Sequence, residues 1–299
     1  EGEFAGALAG LETLLETATT PVALKLRATS ALCRCYRYAG DLQSSIVVAE
    51  NALASLDQAA VTDSEVEAEL RATLAGTYCE TGDLNRALDL TYARDDEPQQ
   101  SPWSVATQRW ARSMVLQRAG RLAEAATSAF EALHIHRTLD QPRTVARMQN
   151  NAAWLALQAQ DMDAGAIELM LLESENAFRE VSASVDLTFV LTTRAEYCVR
   201  VHDLETARAC VEEALRLASG EDVGFRARIT AAAAQIYASM GDREASMTHL
   251  LVARALLEDS GAKRSAAATW NEMAATYGAL GQTDLQIVCL RAAMDLLNL

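Results

Sequence analysis

A short unit, Tyr78-Cys79-Glu80-Thr81-Gly82-Asp83-Leu84-Asn85-Arg86-Ala87, returns along this chain at a nearly fixed interval, and no other feature restricts the fold as much. It reads as the end of one helix, a tight turn and the start of the next. A glycine just past a helix end tolerates the left-handed backbone that closes it, and an aspartate directly after it accepts from the free N–H groups opening the next helix. With the glycine as ruler, the equivalent positions are Gly40, Gly82, Gly120, Gln160, His202, Gly241 and Gly281, at steps of 42, 38, 40, 42, 39 and 40 residues. Periods of that size belong to stacked helical hairpins.

The register repeats on both sides of the ruler. Four residues before it stand Tyr36, Tyr78, Tyr237 and Tyr277, with Leu116, Ala156 and Cys198 elsewhere. Seven before it come the small residues Cys33, Ala75, Ser113, Ala153, Ala195, Ala234 and Ala274, and twelve after it Ala52, Ala132, Ala214, Ala253 and Ala293. Small residues at fixed places on both helices are what close antiparallel packing requires. Aspartate follows the ruler at 41, 83, 161, 203 and 242. Ser101-Pro102, Thr20-Pro21 and Asp140-Gln141-Pro142 give further helix starts, a capping side chain ahead of proline in the first turn. First helices are predicted near 21–39, 62–81, 102–119, 142–160, 184–201, 222–240 and 262–280; second helices near 41–57, 83–95, 122–138, 162–180, 203–219, 242–259 and 282–297.

These residues resemble the tetratricopeptide repeat over nearly the whole chain, from about Pro21 onward. The resemblance implies an all-α fold, a right-handed superhelical solenoid of about seven antiparallel helix hairpins. The repeats are longer than the family's roughly 34 residues, so longer helices are expected. Residues 20–299 form the seven-repeat domain in this reading. Residues 1–19, with Phe4, Leu8, Leu11 and Leu15 on one helical face, form an orphan second helix of a truncated preceding repeat. Leu296, Leu297 and Leu299 at the other end lack a polar cap, which solenoids normally need. A fragment of a longer protein, or a homodimer through a terminal repeat, accounts for both ends.

Charge and composition exclude several functions. The net charge of −15 argues against direct nucleic-acid binding by this segment. Of 26 basic residues only Lys25 and Lys263 are lysine, which with abundant alanine indicates a GC-rich genome. No apolar run has the length of a membrane span. The six cysteines have no metal spacing and read as free thiols of a cytoplasmic protein. No catalytic signature is present, and neither a cofactor nor a metal site is expected. His134 and His136, two apart on a helix, read as solvated surface.

By resemblance, the concave face is lined by first-helix residues 13, 10, 6, 3 and 2 before the ruler. The ligand-contacting set is then Arg27, Arg34, Arg37, Trp110, Met114, Arg147, Asn150, Trp154, Arg228 and Asn271, with Ser30, Phe189 and Gln235 at equivalent places. Arginine pairs with carboxylates through two parallel hydrogen bonds, tryptophan supplies rigid contact area, and asparagine matches both polar groups of an extended backbone. The groove therefore reads as a site for an extended peptide or protein segment of acidic character. Two bland readings stand beside it: core packing for the tryptophans, and pairing of Arg27, Arg34 and Arg37 with carboxylates on neighbouring helices. The Arg- and Ala-rich composition and long repeats resemble the sensor or interaction region of bacterial, specifically actinobacterial, transcriptional regulators. The resemblance implies a non-catalytic module for ligand sensing. The alternatives are an assembly scaffold, and a sensory domain on a signalling enzyme such as a diguanylate cyclase.

Overall fold

The computed structural model describes residues 2–16, 22–58, 64–92, 101–139, 141–160, 163–259 and 263–297. They fall into two compact units, Glu1–Met162 and Asp163–Leu299, and every regular element among them is a helix.

The first unit holds α1 (Gly2–Glu16), α2 (Val22–Ala39), α3 (Leu42–Gln58), α4 (Ser64–Thr81), α5 (Leu84–Tyr92), α6 (Pro102–Arg118), α7 (Leu122–His136) and α8 (Pro142–Ala159). The second holds α9 (Ala164–Glu180), α10 (Ser184–Arg200), α11 (Leu204–Ala218), α12 (Val223–Ser239), α13 (Arg243–Asp259), α14 (Lys263–Ala279) and α15 (Thr283–Leu297). In the first unit α2 packs on α4 and α4 on α6; in the second, α10 packs on α12 and α12 on α14. First helices thus form a layer of α2, α4 and α6 in the first unit and of α10, α12 and α14 in the second.

The ruler explains where each first helix stops. All seven ruler positions have left-handed backbone, from φ 56 at Gln160 to φ 89 at Gly40. At the Gly82 turn, the Asp83 N–H reaches back to the Tyr78 carbonyl at 2.9 Å and the Gly82 N–H to that of Cys79 at 3.3 Å. This paired closure satisfies carbonyls that a helix end leaves open. The same long bond recurs from Asp41 to Tyr36, Arg121 to Leu116, Asp203 to Cys198, Asp242 to Tyr237 and Gln282 to Tyr277.

The following aspartate then opens the second helix. Asp41, Asp83, Asp203 and Asp242 accept from the backbone N–H three residues on, at 3.0–3.1 Å. In the fourth repeat the cap is Asp163, accepting from the Ala166 N–H at 3.1 Å; Asp161 lies outside the described residues. Ser101 caps α6 ahead of Pro102 as its sequence predicts, accepting from the Ser104 N–H. Gln141 before Pro142 makes no such bond, and Asp140, Thr20 and Pro21 lie outside the described residues.

The small residues seven before the ruler are all at 0 or 1 % exposure, which brings the paired helices close. Leu70, Leu74, Tyr78 and Val115 fill the space between them in the first unit; Leu250, Trp270, Met273 and Tyr277 do so in the second. Polar links tie several repeats to the next. Ser30 donates to Glu69 at 2.9 Å, Ser104 to Ser64 at 3.3 Å, Arg208 to Asp242 at 3.0 Å, and Arg243 to the Leu280 carbonyl at 2.7 Å. The Tyr36 hydroxyl donates to Glu12 of α1 as Tyr78 does to Glu50 of α3.

Candidate functional site

In the first unit the expected residues lie on α2, α6 and α8. Arg27 is exposed. Arg34 donates to Ser30 Oγ at 3.1 Å and to Glu69 Oε2 at 3.2 Å, while Arg37 Nε stands 3.3 Å from Glu80 Oε1. Glu69 and Glu80 are on α4, the neighbouring first helix, so Arg34 and Arg37 are already matched by carboxylates. The pairing reading holds for both, and a free cationic end for an acidic ligand does not form from them.

Trp110 and Trp154 are half-buried and Met114 is exposed, so neither tryptophan is sealed in the core. Arg147 is exposed on α8. Asn150 lies deeper than a groove-lining side chain, at 7 % exposure, and its Oδ1 has no hydrogen-bond partner among the described residues. His134 is exposed, but His136 is buried, which corrects the expectation that both are solvated. The α7 face carrying His136 also carries Ala129, Ala132 and Leu133, and turns inward with them.

The second unit brings its residues together more closely. Phe189 of α10 and Phe225 of α12 meet edge to face, ring centroids 5.4 Å apart at 83°, the arrangement favoured by aromatic quadrupoles. The Arg228 guanidinium lies over the Phe189 ring at 4.4 Å, a cation–π contact. Asp222 caps α12 through the Phe225 N–H at 3.0 Å, which fixes the first turn that carries Phe225, one turn before Arg228. Asn271 and Glu272 are exposed on α14, the helix packed on α12.

Arg228 and Glu272 both keep solvent-accessible area, yet surrounding protein partly removes water from their charged ends. That desolvation pulls the Arg228 pKa down and pushes the Glu272 carboxyl up, each opposed by attraction to the other. Among the described residues no hydrogen bond or ion pair engages either charged end. Phe225 and Glu272 were not foreseen. They stand 16 and 9 residues before their rulers, outside the places taken from shorter repeats.

Other features do not supply chemistry. No group of three or more metal-ligating side chains occurs among the described residues. The cysteines are free, and burial pushes the Cys33 thiol up to about 12 and those of Cys210 and Cys289 to about 11, which keeps them protonated. An open depression of 530 Å³ beside Leu204, Arg208 and Met240 has its one cation tied to Asp242. No described helix is long and apolar enough to cross a membrane.

No family model matches the chain, and no curated protein matches it by sequence. Solved structures do match by fold. A Rap protein complexed with Competence and Sporulation Factor superposes with TM-score 0.64 at 12% identity, over 92% of this chain and 76% of that one. NprR in complex with its cognate peptide NprX gives 0.55 at 13% identity, over 90% and 77%. A signal transduction ATPase with a tetratricopeptide repeat sensor from Pyrococcus horikoshii gives 0.61 at 14% identity, over 91% of this chain and 42% of that protein. The likeness is one of fold, and the chain is an all-α, tetratricopeptide-like helical-repeat solenoid.

Proposed function

We propose that this chain is a non-catalytic regulatory module that takes an extended peptide or protein segment along its first-helix face. The observation that carries this is the cluster of Phe189, Phe225 and Arg228 on α10 and α12. There the exposed Arg228 guanidinium lies over the Phe189 ring, which meets Phe225 edge to face, and among the described residues no ion pair engages it; the exposed Asn271 stands on α14, the helix packed on α12. Peptide-bound Rap and NprR on the same fold support the choice of ligand class. The ligand-sensing part of a bacterial transcriptional regulator, working in the cytoplasm, is the setting that fits best.

A second reading has its own support. The chain matches under half of an ATPase whose repeats are described as a sensor, which favours a sensor within a multidomain ATPase. Exposed Ile287, Val288, Leu290 and Met294 on α15 support a second copy covering that end, to be read by sedimentation.

The test is selection of random-sequence displayed peptides on the immobilised chain, followed by Arg228→Ala and Asn271→Ala. Recovered peptides should lose about tenfold in affinity with Arg228→Ala, the size of one charge-assisted hydrogen bond. Recovery of none, or binders indifferent to both substitutions, rejects the reading.

A further inference from the structure

We infer that the depression beside α11 is a second docking surface, which takes a basic amphipathic protein segment with two cationic side chains about 10 Å apart and an apolar one between them. It lies on a second helix, away from the first-helix face, and does not depend on the peptide reading above.

Its lining comes from one stripe of α11, Leu204, Glu205, Arg208, Ala209 and Glu212, together with Met240 at the end of α12, around a volume of 530 Å³. Leu204 is exposed, and Ala209 and Met240 add apolar surface beside it. The charges of the stripe are not equivalent. Arg208 is used internally: it donates to Asp242 Oδ2 at 3.0 Å, and its guanidinium lies 5.3 Å from the centre of the Tyr237 ring. Glu205 and Glu212 are exposed and make no hydrogen bond or ion pair among the described residues. With Arg208 matched by Asp242, these two carboxylates leave the depression negative. Glu205 stands in the first turn of α11, where the helix dipole favours a negative charge. Glu212, two turns on, lies beyond that reach.

The repeat register shows what a glutamate at the place of Glu212 does elsewhere. Glu50 and Glu212 each stand ten residues after a ruler, and Tyr78 and Tyr237 each stand four before the next. Glu50 accepts from the Tyr78 hydroxyl. No such bond joins Glu212 to Tyr237, whose ring stacks on His249 with centroids 5.2 Å apart. Glu212 is thus an acceptor that the fold leaves unused, at the edge of apolar surface. Seven residues of helix set Glu205 and Glu212 about 10 Å apart along the axis, which fixes the spacing of the two cations. Leu204, Ala209 and Met240 select the apolar side chain between them. A second copy of this chain, with a net charge of −15, fits a negative surface poorly.

The experiment uses the full chain and four labelled, alanine-rich helical peptides, with fluorescence anisotropy at low salt as the readout. One carries two arginines seven residues apart with a leucine midway; the others have the arginines adjacent, glutamates in their place, or no leucine. The first should bind wild type about fivefold more tightly than any other. Glu205→Gln and Glu212→Gln should each weaken it about fivefold, the upper end for an exposed charge pair, with circular dichroism to verify folding. Glu258→Gln, outside the depression, and Arg228→Ala, on the first-helix face, should leave it unchanged. Failure of the first peptide to bind, equal binding of all four, or indifference to both glutamine variants overturns the proposal while the first-helix reading stands. Spermidine binding as tightly as the peptide would make this a site for free polycations. A dimer in sedimentation that Leu204→Asp disperses would make the occupant a second copy. Either result rejects the basic segment.

Discussion

A β-carbon on Gly76 would come within 2.3 Å of Arg37 Nη1; the guanidinium occupies the space that any other residue at this place in α4 would need. Glycine inside a helix ordinarily costs about 1 kcal/mol relative to alanine, and here that cost makes room for Arg37 to reach Glu80. Gly76→Ala should therefore change stability little, since the gain in helix preference is offset by displacing the arginine. In an Arg37→Ala background the same change should stabilise by about 1 kcal/mol. Urea denaturation of the four proteins in this cycle measures the difference.

The two ruler positions without glycine hold a side chain in left-handed backbone, at φ 56 for Gln160 and φ 63 for His202. Gln160→Gly and His202→Gly should each raise stability by about 1 kcal/mol, whereas Gly82→Ala should lower it by about 1–2 kcal/mol. The opposite signs, read from thermal midpoints, separate backbone strain from any loss of side-chain contact.

Glu175 accepts from Arg179 at 2.8 Å and Arg194 at 2.5 Å and is itself buried. Glu175→Ala leaves Arg194 partly buried without its carboxylate and should cost about 3 kcal/mol. The exposed Arg254–Glu258 pair, at 2.8 Å, is a control: Glu258→Ala should cost no more than about 0.5 kcal/mol. Equal losses in the two variants would contradict the burial argument.

Burial holds the imidazoles of His136 and His249 neutral, drawing both pKa values below the ordinary 6.5. As pH falls through 6.5 the unfolded chain takes up protons that the folded chain refuses, so stability present above 6.5 is lost toward the lowered folded values. The thermal midpoint should fall with pH in that window. His136→Asn and His249→Asn should each flatten the slope, and an unchanged slope in both would assign the acid sensitivity elsewhere.

Much of the fold was legible because a turn closed by left-handed backbone admits few residues, so the glycine interval marks the end of every first helix. Gln160 and His202 show that the interval persists even where the residue does not. What sequence could not supply was the state of each charge. Arg34 and Arg228 have equivalent-looking contexts, but one meets Glu69 across the helix layer and the other lies over the Phe189 ring with no ion pair among the described residues. That outcome depends on side chains some 40 residues away, which periodicity does not encode. Phe225 was missed for a simpler reason: longer helices add a turn before the family's first groove position. His136 was misjudged because two-residue spacing says nothing about which of the pair faces inward.

The polar links between repeats have a consequence for how the molecule comes apart. Ser30 to Glu69, Ser104 to Ser64, Arg208 to Asp242 and Arg243 to Leu280 join groups 39, 40, 34 and 37 residues apart, and so reach only the next hairpin. Contacts this local in sequence make for low contact order and quick folding, and let opening begin in one hairpin and spread to its neighbour like a zip. Amide protons in such a chain should exchange in steps graded by hairpin instead of all together.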